Sequence, residues 1–440
     1  MYYPILQNSF SSFTIEDIPF HSFSPLSFDK SVVFFSPDIH DGTRIDLVSS
    51  LLSLNQSLLL YSRKTNLPPY FKHNYTISST VDPLQKRQLV IPKTPIPDYK
   101  PPVLISTESY INSTFDKVVS NPVFSHVDCV VCMFYPSGCQ YFIPFNKTIL
   151  FLPAHRFSLK RCRVSELRKL VYWMFSYPDH IITFAGGVYD QEYIYYFTGK
   201  RVPILYSSSL FTIPEPKEYN PIFDEILVAP LNLKGVKFGD KILTACQNRG
   251  LNITLTTVLK IGKHWTLDDL KKFKAVIVFP YAVLSYFLND LFALAIPMFV
   301  PSPVFLRQLG LIHDYCNADF HYCPYSRSLP RHPTVDHAFS PEDGTSKARI
   351  YWYQFASFYT PASTQFDSWD DLARKLETTN LRGKFYQRRK ENRIMKAHNT
   401  RLWHSIISRV QKRNTPSSYK DALQYFNVSS IFSNICNNLY

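Results

Sequence analysis

Residues 274–303 read KAVIVFPYAVLSYFLNDLFALAIPMFVPSP, a mostly apolar run with a single acid, Asp290. A hydropathy scan marks such a run as a membrane span, because ~20 consecutive apolar residues suffice. Its prolines argue otherwise. Pro280, Pro297, Pro301 and Pro303 lie close together, and each lacks the backbone donor that a continuous helix needs. The run divides into a strand over 275–279 (AVIVF), a helix over 284–295 and a second strand over 298–300 (MFV). AVIVF is short, apolar and rich in β-branched residues, as a parallel strand covered on both faces is. In the helix Leu284, Phe287, Leu288, Leu291, Phe292 and Ala295 share one wide face. An unpaired carboxylate there is costly. Asp290 therefore either pairs, with Arg307 or Lys274, or faces a ligand cleft.

Outward from this run the same alternation recurs. Upstream lie a strand over 31–36 and a helix to residue 54 that opens on the capping-box pattern Thr43-Arg44-Ile45-Asp46. A strand over 57–61 follows. A segment holding Pro92, Pro95, Pro97, Pro101 and Pro102 reads as an extended surface loop. Strands are then expected over 126–135, 148–152, 180–185 and 203–206, with helices over 164–175 and 190–197. Residues 211–224 are rich in proline and charge without periodicity and read as a linker. Beyond it come a strand (225–229), a helix (238–247), a strand (252–258) and a helix (266–272), and then the opening run. The end is helical, over 346–356, 368–376 and 382–410.

This pattern predicts an α/β protein of two doubly wound, Rossmann-like domains facing a cleft. The expected division is an irregular segment over 1–30, a first domain over 31–210, the linker over 211–224, a second domain over 225–380 and basic helices over 381–440. Ligands of such sheets bind beyond the carboxyl ends of the strands.

With 45% hydrophobic and 16% aromatic residues, the 440-residue chain folds and is not disordered. Glycine is scarce, at 12 residues, and neither GxGxxG nor a Walker-type loop occurs, which excludes the usual glycine-based nucleotide fingerprints. The net charge of +14 is concentrated between Arg382 and Arg413, where eleven Lys/Arg accompany one acid, Glu391. That stretch reads either as a solvated helix or as a surface for phosphate, nucleic acid or anionic lipid. Phe385, Tyr386 and Trp403 interleave it without the spacing of any RNA- or DNA-binding module, so no specific nucleic-acid partner is expected. Cys129 and Cys132 lie on a strand, pointing to opposite faces, and read as buried core thiols. Cys316, His321 and Cys323 lack a matching second pair, so no metal site is expected. No signal peptide is visible at the N-terminus. Six N-x-[ST] sequons lean towards a secretory compartment, endoplasmic reticulum or Golgi, with the cytoplasm as the alternative.

Several residues carry candidate chemistry. His40, flanked by Asp38 and Asp41 after the first strand, suits a general base with a carboxylate to orient it; alternatively Asp41 or Thr43 caps the helix. His155, Arg156 and Lys160 follow another strand and suit a diphosphate or other anion, or are solvated charge. Gly186 and Gly187, at a strand-to-helix turn, suggest close backbone approach to a ligand, or a turn with positive φ. Asp190 and Glu192 just beyond read as caps of the following helix. Tyr281, Ser285 and Ser302 lie at or just after the ends of the strands in the opening run, where a ligand would sit.

The run FPYAVLSYFLNDLFALAIPMFVPS (279–302) resembles the donor-domain signature of GT-B glycosyltransferases. The blocks SPDIHDGTRIDL, PFNKTILFLPAHR, YDQEYIYYFTG and YWYQFASFY are similar to those of a loosely defined eukaryotic group of that kind. The resemblance implies transfer of a sugar from a nucleotide-sugar donor to an acceptor hydroxyl on a glycan, protein or lipid. It places the donor-side acid, which commonly holds the ribose, at Asp290, one methylene shorter than the usual glutamate. It also implies Tyr281, Ser285 and Ser302 as donor contacts and His40 or Asp41 as the base. No DxD motif occurs, which agrees with a metal-independent enzyme whose nucleotide-sugar is a co-substrate and not a cofactor. Two rivals remain: the same fold binding nucleotide or glycan without turnover, and binding of nucleic acid or an anionic membrane through the basic C-terminal helix.

Overall fold

The computed structural model describes residues 32–36, 41–54, 56–60, 77–78, 89–90, 127–133, 147–152, 175, 181–229, 238–261, 266–280, 283, 285–312, 331–341 and 343–413. The opening run folds as a strand, a helix and a second strand. β10 (Phe273–Val278) leads to a helix over Tyr286–Ala293 and then to β11 (Met298–Pro301). Ala275, Val276, Ile277, Val278, Phe299 and Val300 are fully buried, which fits strands covered on both faces. Among the described residues no helix is long and apolar enough to cross a membrane.

Two parallel sheets carry the fold. The first contains β1 (Val33–Ser36), β2 (Ser57–Leu60), β3 (Ile77–Ser78), β4 (Leu89–Val90), β5 (Cys129–Cys132), β6 (Thr148–Phe151) and β7 (Ile181–Thr183), in the order β3-β4-β2-β1-β5-β6-β7. The second contains β8 (Phe223–Ala229), β9 (Leu255–Thr257), β10, β11 and β12 (Thr364–Phe366), in the order β12-β11-β10-β8-β9. In each sheet the chain first winds to one side of its founding strand and then returns to the other. The winding therefore reverses between β1 and β5, and again between β8 and β10. These reversals are the switch points at which doubly wound sheets open a crevice beyond their strand ends. The expected class, α/β with two Rossmann-like, doubly wound sheets, is the one observed.

Among the described residues the α-helices of six or more residues are, in chain order, α1 (Asp41–Ser53), α2 (Val188–Thr198), α3 (Gly239–Asn248), α4 (Tyr286–Ala293), α5 (Pro303–Gln308), α6 (Ser346–Tyr353), α7 (Trp369–Thr378) and α8 (Leu381–Arg413); single-turn helices lie at Val258–Ile261 and Leu267–Leu270. Three details differ from expectation. Residues 203–206 form no strand; a single bridge joins Ile204 to Ala185, and the outward backbone groups of Ile204 and Tyr206 bond to His398 and Asn399 of α8 in place of a further strand. α1 begins at Asp41, so Thr43 lies inside the helix and does not open it. The Asp46 carboxylate is occupied by a distant backbone N–H, that of Ser208, and not by the start of its own helix. Cys129 is a buried free thiol as expected, but Cys132 is disulfide-bonded. The proline-rich segment, the 164–174 part of the expected helix and the Cys316, His321 and Cys323 group lie outside the described residues.

α2 ends on Gly199 at φ 67°, whose N–H donates to Tyr195 O at 2.8 Å. A methyl there would strike the His332 ring and lie 2.8 Å from Thr334 Oγ1. Gly199→Ala adds left-handed strain to that clash, and is expected to cost about 2 kcal/mol or more in a urea-denaturation measurement.

α8 ties the two halves together. On one side Asn392 donates to Phe292 O at 2.6 Å, and Arg388 is buried against Glu391 at 2.9 Å. On the other side Trp403 packs edge-on against Phe34 of β1, with ring centroids 6.1 Å apart. The basic stretch is therefore not solvated all round. Phe385, Trp403, Ile406, Ile407 and Val410 belong to the core.

Candidate functional site

α1 follows the end of β1, and α4 follows the end of β10. Both therefore start at the carboxyl ends of strands that flank a switch point. Between them runs the segment Tyr206-Ser207-Ser208-Ser209, which α8 clamps in place. Tyr206 N–H donates to Asn399 Oδ1 at 3.0 Å, and Asn399 Nδ2 donates back to Tyr206 O at 2.8 Å.

The clamped serines connect the two helices. Ser208 N–H donates to Asp46 Oδ2 at 2.9 Å, and the Ser209 hydroxyl donates to Asp290 Oδ1. Thr212 donates to Ser49 at 2.6 Å, and Asn289 lies 3.5 Å from the Ser207 hydroxyl. The expected salt bridge from Asp290 to Lys274 or Arg307 does not form. Lys274 pairs with Asp224, and Arg307 donates to Ser346.

The two carboxyls differ. Burial pushes Asp46 up to about 8; the Ser208 N–H opposes this, the nearby Asp290 charge adds to it, and Ser207 opposes it. Burial raises Asp290 to about 6 against its bond from Ser209. At neutral pH Asp46 is therefore a neutral donor and Asp290 mainly an acceptor. Pairs whose environments push their pKa values apart are the usual basis of an acid/base assignment. The Ser208 hydroxyl, 5% exposed, has no hydrogen-bond partner among the described residues. A buried hydroxyl left this way carries a desolvation penalty that a ligand's polar group would relieve.

The residues singled out in the sequence fall as follows. His40, His155, Arg156, Lys160 and Tyr281 lie outside the described residues. Asp41 is the first residue of α1. Ser285 is 2% exposed at the N-cap of α4, where its hydroxyl makes no capping bond. Ser302 caps α5, accepting from Phe305 N–H at 3.2 Å. Gly187 has φ −173°, extended backbone open to any residue, and a methyl there would meet nothing within 4 Å, so the positive-φ reading fails at that position. Asp290 is brought to the junction. The sequence alone does not single out Asp46 or the serine run: the local pattern makes Asp46 a capping partner, and three consecutive serines beside a linker look like solvated loop.

A second cluster also joins the halves. Glu192 on α2 accepts from Arg201 Nε and Nη2, both at 3.0 Å, and lies 2.9 Å from His337 Nε2. His337 Nδ1 is 2.7 Å from the Tyr351 hydroxyl on α6. Glu192 is thus not the helix cap that the sequence suggests but an anchor between the halves. Among the described residues no group of three or more His, Cys, Asp or Glu is placed to hold a metal ion.

No family model matches the chain, and a comparison with curated proteins finds no similar sequence. Among solved structures the chain is similar to the calicheamicin glycosyltransferase CalG4 at 10% identity and TM-score 0.38, covering 88% of this chain and 100% of that one. It is similar to the glycosyltransferase SnogD from Streptomyces nogalater at 12% identity and TM-score 0.40, covering 86% and 99%. The spinosyn rhamnosyltransferase SpnG, solved with thymidine diphosphate, matches at 10% identity and TM-score 0.39, covering 85% and 99%. The fold assignment rests on the strand orders.

Proposed function

We propose that the protein is a GT-B-type glycosyltransferase whose nucleotide-sugar donor binds at the junction of the two halves. The observation that carries this is the orphaned Ser208 hydroxyl, set between an Asp46 pushed up to about 8 and an Asp290 pushed up to about 6. These groups gather a donor, an acceptor and a spare hydroxyl where a polar, hydroxyl-rich ligand is recognised. The Ser209 hydroxyl on Asp290 stands where a ribose hydroxyl would donate, so donor binding exchanges one hydroxyl for another.

The reaction is a direct displacement. His40 or Asp41 takes the acceptor hydroxyl proton, the new C–O bond forms at the anomeric carbon, and the bond to the nucleotide diphosphate breaks. Tyr281, Ser285 and Ser302 contribute to the donor pocket. His155, Arg156, Lys160 and the Gly186–Gly187 backbone stabilise the departing diphosphate without a metal. The acceptor is a glycan, protein or lipid hydroxyl.

A second reading, donor binding without turnover, is favoured by the scarcity of glycine and by an aspartate, Asp290, where the resemblance leads one to expect a glutamate. One experiment separates the two. Nucleotide-sugars at concentrations far above Kd are expected to raise the melting temperature, since stabilisation grows as RT ln(1 + [L]/Kd). Asp290→Ala is expected to abolish the shift. Transfer or hydrolysis of the donor, lost in His40→Ala, supports the enzyme; a shift without any turnover supports the binding module. No shift across a panel of nucleotide-sugars sinks both.

A further inference from the structure

The single acid of α8, Glu391, is turned inward and taken up by buried Arg388 at 2.9 Å. The exposed face is left to cations. Arg382, Lys390, Arg393, Arg401, Arg409 and Lys412 are exposed and form a row of three- and four-residue steps through Tyr386, half-buried Ala397 and Ser405; Lys390, Arg401 and Lys412, eleven residues apart, keep to one side, and the row as a whole winds about half a turn round the helix. Over these 31 residues the row extends about 45 Å. Arg393 and Arg389 share Glu215, whereas Arg382, Lys390, Arg401 and Lys412 have no carboxylate partner among the described residues.

At its C-terminal end the row borders a cavity of about 390 Å³. Ile181, Ile182, Val202, Leu402 and Ile406 supply apolar wall. Ser405 and Arg409 belong to both the row and the cavity. Lys200, which also lines it, sits 4.8 Å over the Phe175 ring.

We propose that this face docks on an anionic lipid surface, the cations meeting headgroup phosphates and the cavity taking an acyl chain. Two observations select lipid over nucleic acid. The helix is packed into the core along its other side through Phe385, Trp403 and Val410, so it presents its charge only as a band on the exposed side and cannot enter a duplex groove. The row also ends at an apolar cavity with cations beside it, which suits an amphiphile. A phosphodiester backbone has no apolar chain to place there.

Co-sedimentation of the full chain with vesicles tests this. Binding is expected to phosphatidylcholine vesicles that contain phosphatidylserine and not to phosphatidylcholine alone, and to weaken as salt rises. Arg382→Gln, Lys390→Gln, Arg401→Gln and Lys412→Gln combined are expected to lower vesicle affinity at least ~100-fold, each cation near the surface contributing about fivefold. These side chains are exposed, so the melting temperature of the quadruple variant should match that of the wild type. Ser405→Trp, which obstructs the cavity, is expected to weaken vesicle binding while leaving heparin binding unchanged. Equal binding to neutral vesicles, an unaffected quadruple variant, or preference for RNA over anionic vesicles overturns the proposal. Unchanged vesicle binding by Ser405→Trp removes the cavity from it.

Discussion

Glu192→Ala is expected to lower the free energy of unfolding by about 3 kcal/mol, because it leaves buried His337 and half-exposed Arg201 without their shared carboxylate. Breaking a buried pair typically costs 3–5 kcal/mol, and the solvent around Arg201 places this case at the lower end of that range. The damage would reach across the molecule, since Glu192 belongs to the first half and His337 to the second. The pH dependence has a definite sign. Burial pushes the Glu192 carboxyl up, but the hydrogen bonds from His337 and Arg201, with their charge, outweigh it and hold the group below its ordinary 4.5. A depressed folded value means that the stabilisation is present above the unfolded value and is lost as pH falls through the folded one. In urea melts the gap between wild type and Glu192→Gln should therefore be wide at neutral pH and close in acid. A gap that stays constant down to strongly acidic pH would show that Glu192 acts through packing alone.

Asp46→Asn should behave in the opposite way. The Asp46 carboxyl is pushed up to about 8, mainly by burial, so the folded protein keeps a proton that the unfolded chain has released. Its contribution to stability is fullest below the ordinary value of 3.8 and declines as pH rises towards 8, with a limiting slope of about 1.4 kcal/mol per pH unit. Asparagine preserves the acceptor for Ser208 N–H and carries no such penalty. The variant should therefore gain on the wild type steadily from pH 4 to pH 8, by several kcal/mol in total. Asp290→Asn removes the charge that helps to raise Asp46, and should shift that window towards lower pH. Parallel stability curves for wild type and Asp46→Asn would place Asp46 in solvent, contrary to its burial.

The fold was legible wherever burial is two-sided. AVIVF, CVVC and MFV are apolar in every position because both faces of a central parallel strand are covered; CVVC and MFV lie wholly within strands of the structure, and AVIVF does so up to Val278. Expected boundaries missed by a few residues where the ends depend on long-range contacts. Residues 203–206 have strand chemistry, yet they stop at one bridge, their outward backbone groups being taken by His398 and Asn399, 194 and 193 residues away in sequence. The turn after α4 is made by Ala295 at φ 56° in a chain poor in glycine, so the usual punctuation is missing there.

The candidate site was less legible, because its parts are far apart in sequence. Asp290 stood out as the one charge in an apolar run. Asp46 meets Ser208 across 162 residues, and Glu192 meets His337 across 145, and no local pattern encodes either contact. Local patterns instead gave Asp46 and Glu192 capping roles, which is what a carboxylate near the start of a helix ordinarily does.

The most direct test of a nucleotide-sugar site at the junction is amide hydrogen exchange with and without saturating nucleotide-sugar. The account predicts slowed exchange in two places: residues 206–212, which carry the serine run, and residues 285–290 at the start of α4. Both slowed regions should disappear in Asp290→Ala. Saturable binding that slows exchange elsewhere and leaves both segments unchanged would contradict it.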